Sequence, residues 1–148
     1  MAEKQISLDE IRRNIIGQEE FTYVIERKKK EGDKEVPDGN SVVIKMKALT
    51  GEERSVLENL LKSRIPEINK DFQKYTEEMR YLVLSRAITS ISMLVAEGGK
   101  TEEVKVNIEN KDAVEKFLRG LTYYTILALY TKYEDSSSQI FDDLKKKD

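Results

Sequence analysis

The longest uninterrupted apolar pattern in the chain runs over residues 67–97, between Pro66 and the glycine pair Gly98-Gly99. Proline and glycine at these places are typical of helix boundaries. The first half carries apolar residues in steps of four and three, which is the spacing of one helix face, and these are Ile68, Phe72, Tyr75, Met79 and Leu82. The second half is apolar on most faces. The pattern predicts one long helix, half exposed at its start and deeply buried at its end.

Four polar residues mark the starts of further helices. Ser7 and Thr50 each stand three residues before a glutamate, which is the capping-box pattern of a helix N-terminus. Asn110 and Thr122 precede two more segments with apolar residues at helical spacing, and both side chains are good N-caps. We therefore predict helices after each of these four positions, and Gly17 is the expected end of the first one.

Two segments have the β-branched and aromatic residues typical of strands, at residues 21–25 and 41–46. Between them lies a charged stretch that ends in Pro37-Asp38-Gly39-Asn40, a strong turn signal. This arrangement predicts a β-hairpin with a long charged loop. Residues 103–108 alternate strictly between polar and apolar side chains, so they are a candidate third short strand.

Together these elements predict an α+β fold that is predominantly α-helical: a helical bundle with an N-terminal β-hairpin at about residues 21–48 and, as an option, a third short strand. A length of 148 residues fits one domain. We expect a single mainly helical domain over residues 1–135. The serine run Ser136-Ser137-Ser138 is expected to loosen the chain into a C-terminal tail over residues 136–148.

The side-chain inventory argues against catalysis. The chain has neither histidine nor cysteine, which removes the commonest general base, the commonest metal ligands and any disulfide. It also has no glycine-rich phosphate loop and no acidic calcium loop. We expect no enzyme activity, no metal and no cofactor; an enzyme that uses only carboxylates and lysines is the remaining alternative, although the scattered carboxylates cannot be paired from sequence.

The charge pattern argues against nucleic acid and membrane as partners. The formal net charge is −2, from 26 basic and 28 acidic residues, so no global field would attract a polyanion. The basic run at residues 27–30 is flanked by carboxylates on both sides, a pattern that is typical of a solvent-exposed loop. The N-terminus lacks the apolar core of a signal peptide, and the apolar stretches are too short to span a membrane.

Protein binding is the function class that remains, and three apolar groups are candidate surfaces for it. For the tyrosines of the last helix, an equal alternative is that each ring is buried in the core while its hydroxyl stays in contact with water. The C-terminal tail could fold back onto the domain or dock on another protein. The candidates are Phe72, Tyr75 and Met79 on the long helix, Tyr123, Tyr124, Tyr130 and Tyr133 on the last helix, and Ile140, Phe141 and Leu144 in the tail.

Four motifs occur in a recognisable order from Val36 onward. They are the Asp38-Gly39 turn leading to Leu49-Thr50-Gly51-Glu52-Glu53, the segment Arg86-Ala87-Ile88-Thr89-Ser90-Ile91 leading to Gly98-Gly99, the core Phe117-Leu118-Arg119-Gly120-Leu121, and Leu129-Tyr130-Thr131-Lys132-Tyr133. This layout resembles the tail-assembly chaperone and baseplate-hub-assembly proteins of tailed bacteriophages over about two thirds of the chain. The chain departs from that pattern at Gly98-Gly99, where those proteins often have Asn-Gly, and in its N-terminal helix and lysine-rich loop.

The resemblance implies a non-enzymatic protein of phage tail or baseplate morphogenesis. Such a chaperone or scaffold would bind tail or baseplate subunits in the host cytoplasm during assembly. One alternative is a permanent structural subunit of the tail or baseplate, located in the virion. A second alternative is a regulatory protein-binding module unrelated to phages. In each case the partners are other proteins, with further copies of the same chain among the options.

Overall fold

The computed structural model describes the backbone of residues 4–16 and 20–145, with the side chains of these ranges except residues 15–16, 37–38 and 139–145. Within these ranges a short 3-10 helix (Ile68–Lys70) accompanies five α-helices and four strands. The helices are α1 (Leu8–Ile16), α2 (Gly51–Arg64), α3 (Phe72–Ala87), α4 (Lys111–Arg119) and α5 (Tyr123–Lys145). The strands are β1 (Glu20–Glu31), β2 (Lys34–Lys47), β3 (Ile88–Glu97) and β4 (Lys100–Lys105).

The four strands form one antiparallel sheet in the order β1-β2-β3-β4. Alternate residues of each strand face the helices, which pack on one side: α5 against β1, and α3 against β2 and β3. The core lies between these two layers. Its fully buried members include Ile44, Met46, Leu82, Leu84, Ile88, Leu118 and Leu129.

The predicted helical bundle with a β-hairpin is wrong, because the predicted long helix is two different elements. Helix α3 ends at Ala87, and β3 begins at Ile88 and continues to Glu97. A short apolar run is typical of a buried helix and also of a strand in the middle of a sheet, and periodicity alone does not distinguish these two structures. β3 has hydrogen-bonded neighbours on both sides, β2 and β4. The pairing with distant residues therefore decided the structure of this segment.

Gly98 and Gly99 form the β3–β4 turn instead of capping a helix. Their φ angles are 59° and 79°. Two successive residues with positive φ are the requirement of a type I′ hairpin turn, whose twist matches that of the flanking strands. The positive φ angles agree with the predicted left-handed conformation, but the predicted helix cap is wrong because the pair follows a strand.

The β1–β2 hairpin is longer than predicted, and its turn lies elsewhere. The charged residues expected in a loop are paired strand residues, and the chain reverses at Gly32, which has φ 64°. The predicted turn is instead an irregularity within β2, where the register shifts between Glu26 opposite Ser41 and Lys28 opposite Pro37. Gly39 has φ 87° there, and a Cβ atom on it would lie 3.1 Å from the Ala96 side chain. Both the dihedral angle and the close approach to β3 favour glycine.

The predicted helix caps are confirmed where the structure describes them. Thr50 forms a full capping box with Glu53. The Ser7 hydroxyl accepts a hydrogen bond from the Glu10 N–H at 3.1 Å. The Asn110 side chain accepts from the backbone N–H of the third residue after it, at 2.8 Å, and the Thr122 hydroxyl does the same at 3.3 Å. Gly17, the expected end of the first helix, lies outside the described residues.

Replacing Thr50 with alanine should lower the free energy of unfolding by about 1 kcal/mol, because the Thr50 hydroxyl that accepts from the Glu53 N–H is lost, while the N–H of residue 50 can still donate to the Glu53 carboxylate. Urea unfolding followed by circular dichroism measures the change. Ser55→Ala, an exposed position in the same helix, is the matched control and should change stability by less than about 0.5 kcal/mol. Equal effects of the two substitutions would show that the cap contributes nothing.

Candidate functional site

The three candidate residues on α3 lie in different environments. Phe72, in the first turn, is 83% exposed, whereas Met79 is 2% exposed and belongs to the core. Tyr75 is half-buried, and its hydroxyl donates to a Glu58 carboxylate oxygen at 3.5 Å. Burial, and then the nearby Glu58 charge, raises the pKa of Tyr75. The expectation that Met79 is exposed is therefore wrong, because α3 already lies over the core one helical turn after Tyr75.

The four candidate tyrosines of α5 divide into two pairs. Tyr123 and Tyr124 are exposed and contact each other edge-to-face, with ring centroids 5.5 Å apart. Tyr133 is buried, and its hydroxyl accepts a hydrogen bond from the Leu49 N–H at 3.1 Å. Tyr130 is half-buried beside Tyr133, at 6.1 Å between centroids. The second pair is thus part of the structural core, and the first pair is available to solvent.

The predicted C-terminal candidates lie on the last turns of α5. The helix continues through Ser136–Ser138 and ends at Lys145, without the break expected at the serines. The side chains of Ile140, Phe141 and Leu144 fall outside the described residues.

A partly buried charge network fixes α4 against α2 and α3. The Arg64 guanidinium donates to both carboxylate oxygens of Glu115, at 2.9 and 3.0 Å, and Arg119 donates to the same carboxylate at 3.1 Å. Arg119 also pairs with Glu78 on α3 and lies 4.5 Å from the centroid of the Tyr81 ring. These contacts fix the position of α4 and therefore the positions of its exposed side chains.

The charge state of Glu115 links this network to pH. Burial alone would raise the pKa of this carboxyl, but the hydrogen bonds and charges of Arg64 and Arg119 outweigh burial, and its pKa lies below the ordinary value of 4.5. A carboxyl with a lowered folded-state pKa stabilises the fold fully above its unfolded pKa. It loses this contribution as the pH falls through the folded value.

Replacing Glu115 with glutamine should therefore lower stability at neutral pH by about 1–3 kcal/mol, which is the range for a charged hydrogen bond. The loss should shrink as the pH falls from the ordinary carboxyl pKa of 4.5 to the lower folded-state pKa of Glu115, because the folded carboxyl becomes protonated only there. Urea midpoints at pH 7 and at a series of acid pH values test this. The same difference between variant and wild type at every pH would contradict it.

An apolar groove lies where β4 leads into α4. The Val106 N–H donates to the Ile91 carbonyl oxygen at 2.9 Å, so pairing with β3 continues one residue beyond β4. Val106 and Phe117 both line the groove. The groove has a volume of ≈ 200 Å³ and is lined by Ile91, Val106, Asn107, Ile108, Ala113, Val114 and Phe117. We call it the β4–α4 groove.

Large apolar side chains stand open to solvent around this groove. Val106 is 55% exposed and Phe117 is 43% exposed, and Val104, on the same face of the strand as Val106, is 52% exposed. The helices that pack on the sheet lie mainly over the other three strands, so the helix-facing side of β4 stays uncovered. Apolar surface that gathers around a concave site is typical of a docking surface.

Comparisons with protein-family models, with curated proteins and with solved structures find no match.

Other kinds of site are weaker candidates. Within the described residues, no group of three or more acidic side chains is placed to hold a metal ion, and no described helix is long and apolar enough to cross a membrane. A second depression, of ≈ 250 Å³, is lined by Glu52, Glu53, Val56, Leu57 and Arg86. Its charges belong to the N-terminal turns of α2 and to the end of α3, and its walls are less apolar than those of the β4–α4 groove.

The sequence patterns did not single out Val104, Val106 and Phe117 as candidates. The alternation at residues 103–108 predicted a strand and Phe117 was placed in a helix core. The sequence does not report where the helices pack on the sheet. Their positions leave the helix-facing side of β4 exposed.

Proposed function

We propose that this chain is a non-enzymatic protein-binding module and that the β4–α4 groove, with Val104 on its rim, is its docking surface. The observation that carries the proposal is the clustering of Val104, Val106 and Phe117, all about half exposed, around a concave apolar site. Sites for small molecules usually enclose about 300–1,000 Å³. An open groove of ≈ 200 Å³ better suits an apolar side chain that anchors a partner protein.

The setting of the groove supports this use. Phe117 is on α4, which is held against α2 by the Arg64–Glu115 ion pair and against α3 by the Arg119–Glu78 ion pair. A rigid aromatic residue at the edge of a preformed groove costs little conformational entropy when it is buried by a partner, and aromatic residues are enriched in binding hot spots. An apolar segment of another protein is therefore the occupant that we propose.

We further propose that the partners are tail or baseplate subunits of a tailed phage, bound during assembly. This rests on the motif order that resembles phage tail-assembly chaperones and baseplate-hub-assembly proteins. Two of those motifs have clear positions in the fold: Thr50 caps α2, and Phe117 of the Phe-Leu core lines the groove. The alternative on the same resemblance is a permanent subunit of the tail or baseplate.

Quantitative mass spectrometry of purified particles and of tail precursors separates these roles. An assembly chaperone is bound to tail precursors in lysate and is missing from mature particles. A structural subunit is present in particles at a fixed, symmetric copy number. Absence from both fractions would contradict the phage proposal. The alternative would then be a regulatory protein-binding module unrelated to phages.

Replacing Phe117 with alanine should weaken binding of the partner at least tenfold, because a central aromatic anchor typically contributes about 2 kcal/mol or more. Phe72→Ala is the matched control, since Phe72 is more exposed than Phe117 and lies outside the groove lining. Isothermal titration with the partner found in the precursor fraction measures both affinities. Equal losses, or a loss only with Phe72→Ala, would place the docking surface elsewhere.

A further inference from the structure

The outer edge of β4 is open for pairing with another strand. β4 is the last strand of the sheet, and all six of its residues are exposed. The Val106 N–H donates to Ile91, so the backbone groups of Val106 point to β3. In an antiparallel ladder this orientation repeats at every second residue, so every second residue of β4 before Val106 also directs its N–H and C=O groups to β3. The residues between them, Thr101, Glu103 and Lys105, direct their N–H and C=O groups to the open edge.

We propose that β4 pairs in antiparallel fashion with β4 of a second copy of this chain, about a two-fold axis that passes at Val104. In this register Glu103 of each copy lies opposite Lys105 of the other. Both residues have their backbone groups at the open edge, so each such pair can exchange two backbone hydrogen bonds. The two sheets would join into one, and the contact would be isologous.

The charges of β4 select this register over its neighbours. Moving the axis by one residue toward the N-terminus places Glu103 opposite Glu103 of the second copy. Moving it by one residue toward the C-terminus places Lys105 opposite Lys105. Directly opposed like charges destabilise a strand pair, whereas opposed unlike charges stabilise it. Only the axis at Val104 converts both charged residues of this face into complementary pairs.

Neither Glu103 nor Lys105 has an ion pair in the described part of the chain, and their cross-strand neighbours on β3 are Leu94 and Ser92. Their charges are therefore not already used within the fold. The apolar side of the strand fits as well, since Val104 is half exposed and would meet Val104 of the second copy at the axis. Burying this valine pair removes apolar surface that the helices leave bare.

The opposite edge of the sheet is a poorer site for a second copy. The outer half of β1 carries Arg27 and three lysines, Lys28–Lys30, beside Glu26 and Glu31. Lysine-rich edge strands resist pairing with another chain. This contrast between the two edges favours β4 as the one that pairs. Pairing at this strand edge does not depend on which protein the β4–α4 groove binds.

Sedimentation equilibrium of the full chain tests the charge pairing. The wild type should show a reversible monomer–dimer equilibrium. Glu103→Lys and Lys105→Glu should each weaken dimerisation about tenfold or more, because each substitution turns two attractive pairs into two repulsive ones. The double variant Glu103→Lys with Lys105→Glu restores opposite charges and should recover the wild-type constant. Glu102→Lys is the control, since residue 102 lies opposite Val106 in the proposed register.

A monomer at every concentration would overturn the proposal, and so would a dimer that is indifferent to Glu103→Lys. Failure of the double variant to recover dimerisation would overturn the register. None of these outcomes depends on the presence of tail proteins, so a failure here is distinguishable from a failure of the proposed function.

Disulfide trapping tests the position of the axis independently. The chain has no cysteine, so Val104→Cys introduces a single thiol that would face its own copy. Opposed residues in a pair without backbone hydrogen bonds have Cα atoms about 4.5 Å apart, which a disulfide can span. Mild oxidation should give a covalent dimer with Val104→Cys and little or none with the equally placed surface variant Glu102→Cys. Equal cross-linking of the two variants, or none with Val104→Cys, would overturn the axis.

Discussion

Replacing Ser92 with proline is expected to destabilise the fold more than any surface substitution. Ser92 is buried in β3, between Val43 on β2 and Lys105 on β4. Because Ile91 accepts a hydrogen bond from the β4 side, the N–H of Ser92 is directed to β2. Proline removes that hydrogen bond and places its ring against the neighbouring strand, so the loss of stability should exceed the roughly 0.5–3 kcal/mol of most single substitutions. Against a total stability of about 5–15 kcal/mol, urea unfolding followed by circular dichroism should show a large drop in the midpoint.

Glu103→Pro is the matched control for this effect. Its N–H faces the open edge of β4, so proline there removes no hydrogen bond within the chain. We expect a loss of less than about 1 kcal/mol together with loss of the proposed dimer. If Ser92→Pro folded as well as Glu103→Pro, the position of β3 in the middle of the sheet would be wrong.

Replacing Leu82 with alanine is expected to lower the free energy of unfolding by about 2–5 kcal/mol. Leu82 lies in the middle of α3 and is fully buried, so the substitution removes buried methyl groups and leaves a cavity in a close-packed core. Urea denaturation at equilibrium measures the loss as a lower midpoint with an unchanged slope. The loss should exceed that of any surface substitution on the same helix.

Phe72→Ala provides the comparison on α3. Phe72 belongs to the same apolar pattern but is mostly exposed, so its truncation should change stability by less than about 0.5 kcal/mol. If the two substitutions had similar effects, the orientation of α3 on the sheet would be incorrect.

The local features of this fold could be predicted, because they depend on residues close in sequence. A capping box needs only Thr50 and a glutamate three residues later, and Asn110 needs only the N–H groups of the next turn. The strands at Phe21 and Val42 could be predicted because both segments have the β-branched and aromatic residues typical of strands. Their full lengths could not, since charged residues such as Lys28–Lys30 join the ladder by pairing with β2.

The non-local features could not be predicted in the same way. The residues from Ile88 onward have an apolar pattern that suits a buried helix or a central strand equally well. Their pairing with β2, more than forty residues earlier, decided for the strand. The fold class followed from that one element, and the helical bundle was therefore the wrong inference.

The candidate site shows the same division. Tyr133 and Met79 have residue types typical of interfaces, yet they complete the core. Val104 and Val106 looked like ordinary strand residues, and only the absence of helix cover over their face makes them candidates. Exposure depends on where α3, α4 and α5 lie on the sheet, and a single sequence does not report these positions.

The most direct test of protein binding through the β4–α4 groove is site-specific photo-cross-linking in cells that make the chain in its natural setting. A photoreactive phenylalanine derivative at position 117 is compared with the same derivative at position 72, and cross-linked proteins are identified by mass spectrometry. We predict that position 117 yields a small set of tail or baseplate subunits and that position 72 does not. No cross-linked protein from position 117, or the same products from both positions, would contradict the groove as the docking surface.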